Sequence, residues 1–247
     1  MSTETYGSSQ SYSQIRMYQG YYGKVPTHGD FVSGSLPRQF IDPWDTWLQQ
    51  AMATSRQQIG ENWLNSYLTA PPYHYVLSPN LCGENIWLGV MIPSVDRIGR
   101  YYPLTLCRTV SPTANPLLLF QQHQQWFTDA QTLLLSCLEE AFELAEFEQK
   151  LKHLVINESN TPTVDPLQVH QEVAWRVESE RQMVELCPAL FSAVLDKFCM
   201  AYSIWKTEGS YHTPPSFLLA QGFPPFESVS PMLDGRWHAY GWKNRDI

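Results

Sequence analysis

The chain has 247 residues, 43% of them hydrophobic, which is enough to build a sizeable packed core. Only 16% are charged, the formal net charge is −8, and no block of Lys and Arg occurs. Non-specific binding to nucleic acid or to anionic membranes is therefore disfavoured, because both need clustered positive charge. No apolar run approaches the ~18 residues that span a bilayer, and the N-terminus lacks the apolar segment of a secretory signal.

The cysteines indicate a reducing environment. Their number is odd, and no two are spaced as CxxC. We therefore expect neither a disulfide framework nor a zinc site, and we expect a cytoplasmic protein without a cofactor. The cysteines are Cys82, Cys107, Cys137, Cys187 and Cys199.

The start of the chain predicts a tail followed by a strand. Residues 1–14 are mostly Ser, Gln, Tyr and Thr and have little apolar surface to bury, so we expect a disordered tail. The string MYQGYYGK favours a short first strand. Residues 15–247 are expected to form a single α/β domain.

Two helices are predicted next. Asp42 is typical of an N-cap and Pro43 of the first helical position. Trp44 and Trp47 then begin an apolar stripe, and Gly60 is expected to end the helix. ENWLNSYL predicts a second, shorter helix that stops at a Pro-Pro pair.

Strands are predicted in the middle of the chain and again near its end. Tyr73–Ser78, Ile86–Ile92 and Leu104–Val110 are short, rich in β-branched or aromatic residues, and bounded by Pro, Asn or Gly. Ile86–Ile92 is almost entirely apolar, which predicts a central strand covered on both faces. YSIWKT and SFLLAQG favour strands nearer the C-terminus, followed by a short helix around ESVSPML. The order predicts a mixed or mostly antiparallel sheet between helix layers.

The segment between these two groups of strands is predicted to be helical. One apolar stripe runs from Phe127 to Ala145. Asp165 and Pro166 favour the start of another helix, which should run to about Leu186. A further helix is expected to open at Pro188, with a buried side formed by Phe191, Val194, Leu195, Phe198 and Tyr202.

The stretch GYYGKVPTHGDFVSGSLP resembles a site at first sight. It is not a phosphate loop, because the Lys is followed by Val-Pro rather than by Ser or Thr at the start of a helix. A Ser33–His28–Asp30 triad is disfavoured, since triads assemble from distant segments. A metal site of His28, Asp30 and His74 has no ligand spacing to support it. We expect a structured loop in which Asp30 accepts hydrogen bonds from nearby backbone N–H groups.

The stretch PSVDRIGRYYPLTL leaves two interpretations open. Arg97 and Arg100 could grip a carboxylate or phosphate from a loop between buried strands. Alternatively, Asp96 and one Arg lock a tight connection, with Arg stems over Tyr101 or Tyr102; we favour this second interpretation. A separate acidic group is typical of a solvated helix face: Glu139, Glu140, Glu143 and Glu146.

Several long strings resemble the TagF family of type VI secretion accessory proteins. The most specific are GYYGKVPTHGDFV and PSVDRIGRYYPLTL; FIDPWDTWLQQAM, NWLNSYLTAPPY and, more weakly, SIWKTEGS and GFPPFESVSPML extend the resemblance from about Gly20 to the C-terminus. Residues 121–186 match poorly. This chain has SIWKT where family members commonly carry a second Trp after the first.

The resemblance implies a non-enzymatic, cytoplasmic regulator with a three-layer α/β/α fold. Family members repress the type VI apparatus after translation and are thought to contact a scaffold with a forkhead-associated domain. Some relatives are fused to a PP2C-type phosphatase domain, for which this chain has no room. On this basis, partner-binding residues are predicted at Lys24, Asp30, Asp96, Arg97, Arg100 and Trp205, with exposed aromatic residues around Trp205 and Trp237 as further candidates.

Two other functions stay open at this point. One is a structural accessory subunit of the secretion baseplate. The other is an enzyme with a site near Asp30 and the Asp96–Arg100 loop. The sequence offers no nucleophile-and-base pair for such an enzyme, and we expect a protein partner, with neither nucleic-acid binding nor membrane insertion.

Overall fold

A computed structural model describes residues 17–156 and 180–243. Its seven strands form one sheet in the order β2-β1-β5-β4-β3-β6-β7, and each neighbouring pair is antiparallel. The strands are β1 (Gln19–Gly23), β2 (Val32–Gly34), β3 (Tyr73–Leu77), β4 (Ile86–Ile92), β5 (Leu104–Val110), β6 (Tyr202–Thr207) and β7 (Ser216–Gln221).

Within the described residues, helices lie between strands and after the last strand. The long ones are α1, which leads into the short α2 through a 3₁₀ turn, and α6, which leads into β6. The helices are α1 (Arg38–Ile59), α2 (Trp63–Leu68), α3 (Leu119–Gln122), α4 (Gln124–Ser136), α5 (Leu144–His153), α6 (Glu180–Phe198) and α7 (Ser230–Asp234). In the described ranges, no helix is both long and apolar enough to cross a membrane.

Hydrophobic clusters lie against both faces of the sheet. Side chains alternate between faces along a strand, so Leu88 and Val90 of β4 pack with Phe127 of α4, whereas Trp87 packs with Trp44 of α1. Burial on both faces explains why β4 reads as a continuous apolar run rather than an alternating one.

Aromatic rings fill the face that α1 covers. The ring of Trp44 lies 4.8 Å from Tyr75 and 6.1 Å from Trp205, measured between centroids. Trp47 stacks on Phe223 at 4.9 Å, and its Nε1 donates a hydrogen bond of 2.8 Å to the carbonyl of Pro224. The predicted core stripe of this helix is therefore confirmed. Through Trp47, the stripe also packs against the segment that follows β7.

The predicted start of α1 is wrong. The helix begins at Arg38, the backbone N–H groups of Phe40 and Ile41 bond to the carbonyl of Pro37, and Pro43 lies inside the helix. Phe40 and Ile41 are buried, so packing of the first turn against the core extends the helix ahead of Pro43. The predicted end is confirmed, since Gly60 follows the last helical residue with a φ of 67°.

The helix predicted to open at Pro188 is also wrong. Helix α6, described from Glu180 to Phe198, is continuous through Pro188. Leu195 is buried as predicted and Tyr202 is buried within β6, but Phe198 is 71% exposed and Phe191 and Val194 are exposed as well. Apolar spacing shows which residues share a helix face, but the neighbouring elements decide how much of that face is covered.

The α/β class and every predicted strand are confirmed, and the sheet is antiparallel rather than mixed. The stripe from Phe127 is buried as far as Cys137, but α4 ends at Ser136 and a new helix begins at Leu144. The predicted tail over residues 1–14 and the helix start at Asp165 and Pro166 lie outside the described residues.

Candidate functional site: a surface built from two loops

Lys24 and Asp96 form a buried ion pair between the two loops that carry the family strings. Lys24 follows β1, and Asp96 lies between β4 and β5. The Nζ of Lys24 lies 2.8 Å from Oδ2 of Asp96, and both side chains are almost fully buried. The loss of either partner would leave a buried charge without compensation, so the pair holds the two loops in one arrangement.

Asp96 also organises the turn that it begins. Its Oδ1 accepts hydrogen bonds from the backbone N–H groups of Ile98 (3.1 Å) and Arg100 (2.8 Å). Its Oδ2 accepts one from Nε of Arg100 at 2.6 Å. Gly99 has a φ of 86°, which favours glycine, and its N–H bonds to the carbonyl of Asp96 at 3.0 Å. The predicted lock between Asp96 and an arginine is confirmed.

The pKa of the Asp96 carboxyl follows from these contacts. Burial by itself would raise it, but the hydrogen bonds from Lys24 and Arg100 outweigh burial and hold the pKa well below its usual range. A general acid or base working near neutral pH needs a pKa close to that pH. The geometry therefore suits a fixed structural anion at Asp96.

Backbone contacts tie the second loop to the first. The N–H of Arg97 donates to the carbonyl of His28 at 2.9 Å, and Nη2 of Arg100 donates to the carbonyl of Gly29. The same Nη2 lies 3.6 Å from Oδ1 of Asp30, on the surface. The main chain of each loop thus fixes the position of the other.

A buried hydroxyl network supports the base of the surface. Ser94 donates from Oγ to the carbonyl of Lys24 at 2.7 Å. The Tyr67 hydroxyl of α2 donates to the carbonyl of Ser94 and accepts from its N–H, at 2.8 and 2.9 Å. Burial raises the pKa of the Tyr67 hydroxyl, so it stays neutral and keeps both contacts.

An aromatic cluster forms the other side of the surface. Phe31 stacks on Tyr22 with centroids 5.2 Å apart and meets Tyr102 edge-on at 4.8 Å. The Nζ of Lys24 lies 5.1 Å from the Phe31 ring centroid, and Phe31 is 42% exposed. The Tyr102 hydroxyl donates to Asp45 of α1 at 2.7 Å, which fixes the cluster to the helix.

We call the exposed part of this assembly the two-loop surface. Of the residues predicted to contact a partner, Lys24 and Asp96 are its buried frame, whereas Arg97 and Arg100 are exposed on it. Its exposed side chains are those of Asp30, Phe31, Arg97, Ile98 and Arg100.

The expected role of Asp30 is wrong. Its side chain is fully exposed and lies beside Arg100, 3.6 Å from the guanidinium, instead of accepting backbone hydrogen bonds within its own loop. The carboxylate that accepts backbone hydrogen bonds is instead that of Asp96 in the other loop, which is buried and accepts from Ile98 and Arg100 of its own turn.

The expectation of exposed aromatic residues around Trp205 and Trp237 is confirmed for Tyr211 and Phe217, which are 92% and 60% exposed, but is wrong for the two tryptophans themselves. Trp205 is fully buried and Trp237 is 5% exposed. Trp205 lies on β6 facing α1, and its Nε1 donates to Oγ of Ser203 at 2.9 Å. Both positions therefore belong to the core in this fold.

The histidines of the alternative sites weighed from the sequence contact other residues. The His28 ring contacts Oγ1 of Thr27 at 2.9 Å. His74 lies on β3, with its ring stacked on Phe127 and its Nε2 2.8 Å from Oε1 of Gln131. In residues 17–156 and 180–243, no three His, Cys, Asp or Glu side chains are arranged to hold a metal ion.

Sequence reasoning missed two residues of the surface. Ile98 is 66% exposed at the tip of the turn and Phe31 is 42% exposed, and neither was among the residues predicted to contact a partner. The signal for Ile98 was its position between Arg97 and Gly99, where a turn leaves little around it to cover an apolar side chain. Nothing in the sequence indicated that Lys24 reaches Asp96 across 72 residues.

The comparisons place both loops in one known family. The sequence matches the family described as TagF N-terminal domain, type VI secretion system-associated, over residues 20–154. The crystal structure of PA0076 from Pseudomonas aeruginosa PAO1 is similar, with 30% sequence identity and a TM-score of 0.75, over 93% of this chain and 96% of that one. No protein with a curated description matches.

The fold and the two-loop surface thus belong to a type VI secretion-associated class of protein. The chain is a member of the TagF N-terminal domain family. The matched range begins within β1, includes both loops of the surface, and ends just after α5.

Proposed function

We propose that this protein is a negative regulator of type VI secretion that acts by binding a scaffold protein with a forkhead-associated domain. The observation that carries the proposal is the two-loop surface, in which the Lys24–Asp96 pair holds two loops together and presents Arg97 and Arg100 outward. Arginine is enriched at binding hot spots, and a rigid loop loses little entropy on binding. Family membership supplies the secretion context.

We also propose that the protein is cytoplasmic and acts without catalysis. The low pKa of Asp96 supports this view, because a carboxyl that stays ionised at neutral pH suits a fixed anion rather than a catalytic acid or base. We further propose a three-layer α/β/α arrangement of the fold. It is supported by the separate hydrophobic clusters on the two faces of the sheet.

Stoichiometric repression is the outcome that tests the mechanism. Expression of the chain in its host is titrated while secretion of a type VI effector and the abundance of the scaffold are measured. Occupancy follows mass action, so repression should rise as the chain approaches the abundance of the scaffold. Full repression at a small fraction of that abundance would indicate an enzyme instead.

The binding step is tested directly with purified proteins. The chain should form a complex with the forkhead-associated scaffold of its own secretion system, measured by isothermal titration calorimetry. No complex with the scaffold, together with stable co-purification with assembled baseplate, would replace the proposal by a structural role in the baseplate.

A further inference from the structure

The charge of the two-loop surface differs from that of the rest of the chain. Residues 24–32 and 93–102 together carry three Lys and Arg against two Asp. The remainder of the chain carries thirteen Lys and Arg against twenty-two Asp and Glu. The surface is therefore weakly basic on an acidic protein, which favours association with an acidic region of a partner.

Most of this charge is already compensated within the surface. Lys24 is buried against Asp96, and Arg100 is shared between Asp96 and Asp30. Arg97 is different: among the residues that the structure describes, no carboxylate lies within 4.0 Å of its guanidinium. The uncompensated cation of the surface is Arg97.

The main chain holds Arg97 in place. Its N–H donates a hydrogen bond of 2.9 Å to the carbonyl of His28. Its guanidinium lies over Gly29, where a Cβ atom would be 3.5 Å from Nη2. The cation is thus presented from a braced turn beside a glycine, and little ordering is needed when a partner binds.

Exposed apolar side chains lie within the same two loops. Ile98 directly follows Arg97 at the tip of the turn and is 66% exposed, and Phe31 lies in the facing loop at 42%. A carboxylate bound at Arg97 would lie next to apolar surface that the partner could cover, which lowers the local dielectric and strengthens the ion pair.

We propose that the partner docks on this surface through a segment that places an Asp or Glu against Arg97 and an apolar side chain against Ile98 and Phe31. The Lys24–Asp96–Arg100 network holds the loops and makes no direct contact. This inference rests on the proposed function, because it specifies the partner chemistry of the same surface.

The surface favours a carboxylate over a phosphate group. Phosphate sites gather several cations or backbone N–H donors around one anion. Here Arg100 is already neutralised, and the exposed carboxylate of Asp30 lies 3.6 Å from its guanidinium, where it would repel a doubly charged phosphate.

The experiment measures the dissociation constant for the purified scaffold by isothermal titration calorimetry at low and high salt. Arg97→Glu is expected to weaken binding by at least about 10-fold, and Ile98→Ser several-fold, with unchanged melting temperatures because both side chains are exposed. The matched control is Lys152→Glu, the same charge reversal at an exposed site on α5, which should bind like the wild type.

Salt provides a second readout. The affinity of the wild type should decrease as NaCl is raised from about 0.05 to 0.5 M, because salt screens the ion pair. The affinity of Arg97→Glu should decrease less, because this variant has lost that ion pair. Scaffold that carries no phosphate should bind as well as phosphorylated scaffold.

The possible outcomes separate the two proposals. If the wild type does not bind the scaffold, the proposed function fails and this inference fails with it. If the wild type binds but Arg97→Glu binds equally well, or Lys152→Glu loses as much affinity, the scaffold is the partner and only the docking surface is wrong. A requirement for phosphate would also overturn the inference.

Discussion

At the scale of single residues, the structure separates a frame from a contact surface. The exposed Arg100 and the buried Asp96 lie four residues apart, yet both belong to the network that holds two distant loops together. Arg97, between them, is held by its backbone and leaves its side chain exposed. Substitutions at neighbouring positions should therefore have different consequences.

Asp96→Asn should reduce the free energy of unfolding by about 3–5 kcal/mol, because it leaves the Lys24 ammonium buried without a counter-charge. Chemical denaturation measures this change. The matched control is Asp30→Ala, which should stay within about 0.5 kcal/mol because its side chain is fully exposed. Equal losses in both variants would contradict the frame described here.

The pH dependence of stability gives a second test of Asp96. Its folded pKa lies below the ordinary value of 3.8, so its ionised form stabilises the protein above that pH and this contribution is lost as the pH falls through and below it. The difference in unfolding free energy between wild type and Asp96→Asn should thus be constant at neutral pH and shrink below about pH 4. A difference that stays constant into acid would show that folding does not lower the pKa of Asp96.

At the scale of elements, different helices cover the two faces of the sheet. Helix α1 covers one face with Trp44 and Trp47, and α4 covers the opposite face with Phe127. The two faces can be tested separately, since they share strands but not hydrophobic clusters.

Trp44→Ala should reduce the free energy of unfolding by about 3–5 kcal/mol, because a fully buried ring is removed from contact with Tyr75 and Trp205. Gln50→Ala, an exposed site on the same helix, is the control and should change stability by less than about 0.5 kcal/mol. Denaturant titration followed by circular dichroism measures both. A Trp44→Ala variant of normal stability would mean that the ring is not part of the core.

His74 makes the face covered by α4 sensitive to pH. Burial lowers the pKa of its imidazole, with a further lowering by Lys206, while Gln131 and Glu208 act in the opposite direction. The folded state thus favours the neutral ring, so stability should be full above pH 6.5 and decrease as the pH falls below it. NMR titration of the ring and denaturation between about pH 5 and 7.5 measure this, and His74→Gln should remove the pH-dependent part. A folded-state pKa above 6.5 would contradict the expectation.

At the scale of the whole molecule, the fold protects most cysteines from solvent. Cys82, Cys107 and Cys137 are buried, and burial raises the pKa of each thiol, whereas Cys187 is exposed. Since the thiolate is the reactive form, Cys187 should react with Ellman's reagent in the native protein and the three buried thiols only on unfolding. In a Cys187→Ser variant, the partly buried Cys199 is the most exposed thiol that remains. Rapid reaction of any additional thiol in the native state of that variant would contradict this arrangement.

The sequence by itself determined six of the seven strands, the α/β class and the core stripe of α1; β2 (Val32–Gly34) lies in a stretch that was expected to be a loop. These follow from local patterns: β-branched and aromatic runs bounded by Pro, Asn and Gly, and apolar residues at helical spacing. Gly60 could be predicted as the end of α1 because its conformation is a local property. The lock between Asp96 and Arg100 was predicted for the same reason, since these two residues lie only four positions apart.

Only the tertiary structure decided the rest. Helix α1 begins before Pro43 because Phe40 and Ile41 pack into the core. The buried anion of the two loops is Asp96 rather than the exposed Asp30, because Lys24 pairs with Asp96 across 72 residues. Trp205 is buried because α1 happens to lie over its strand. In each case the deciding contact joins residues far apart along the chain, and a local pattern carries no information about which distant side chain will be there.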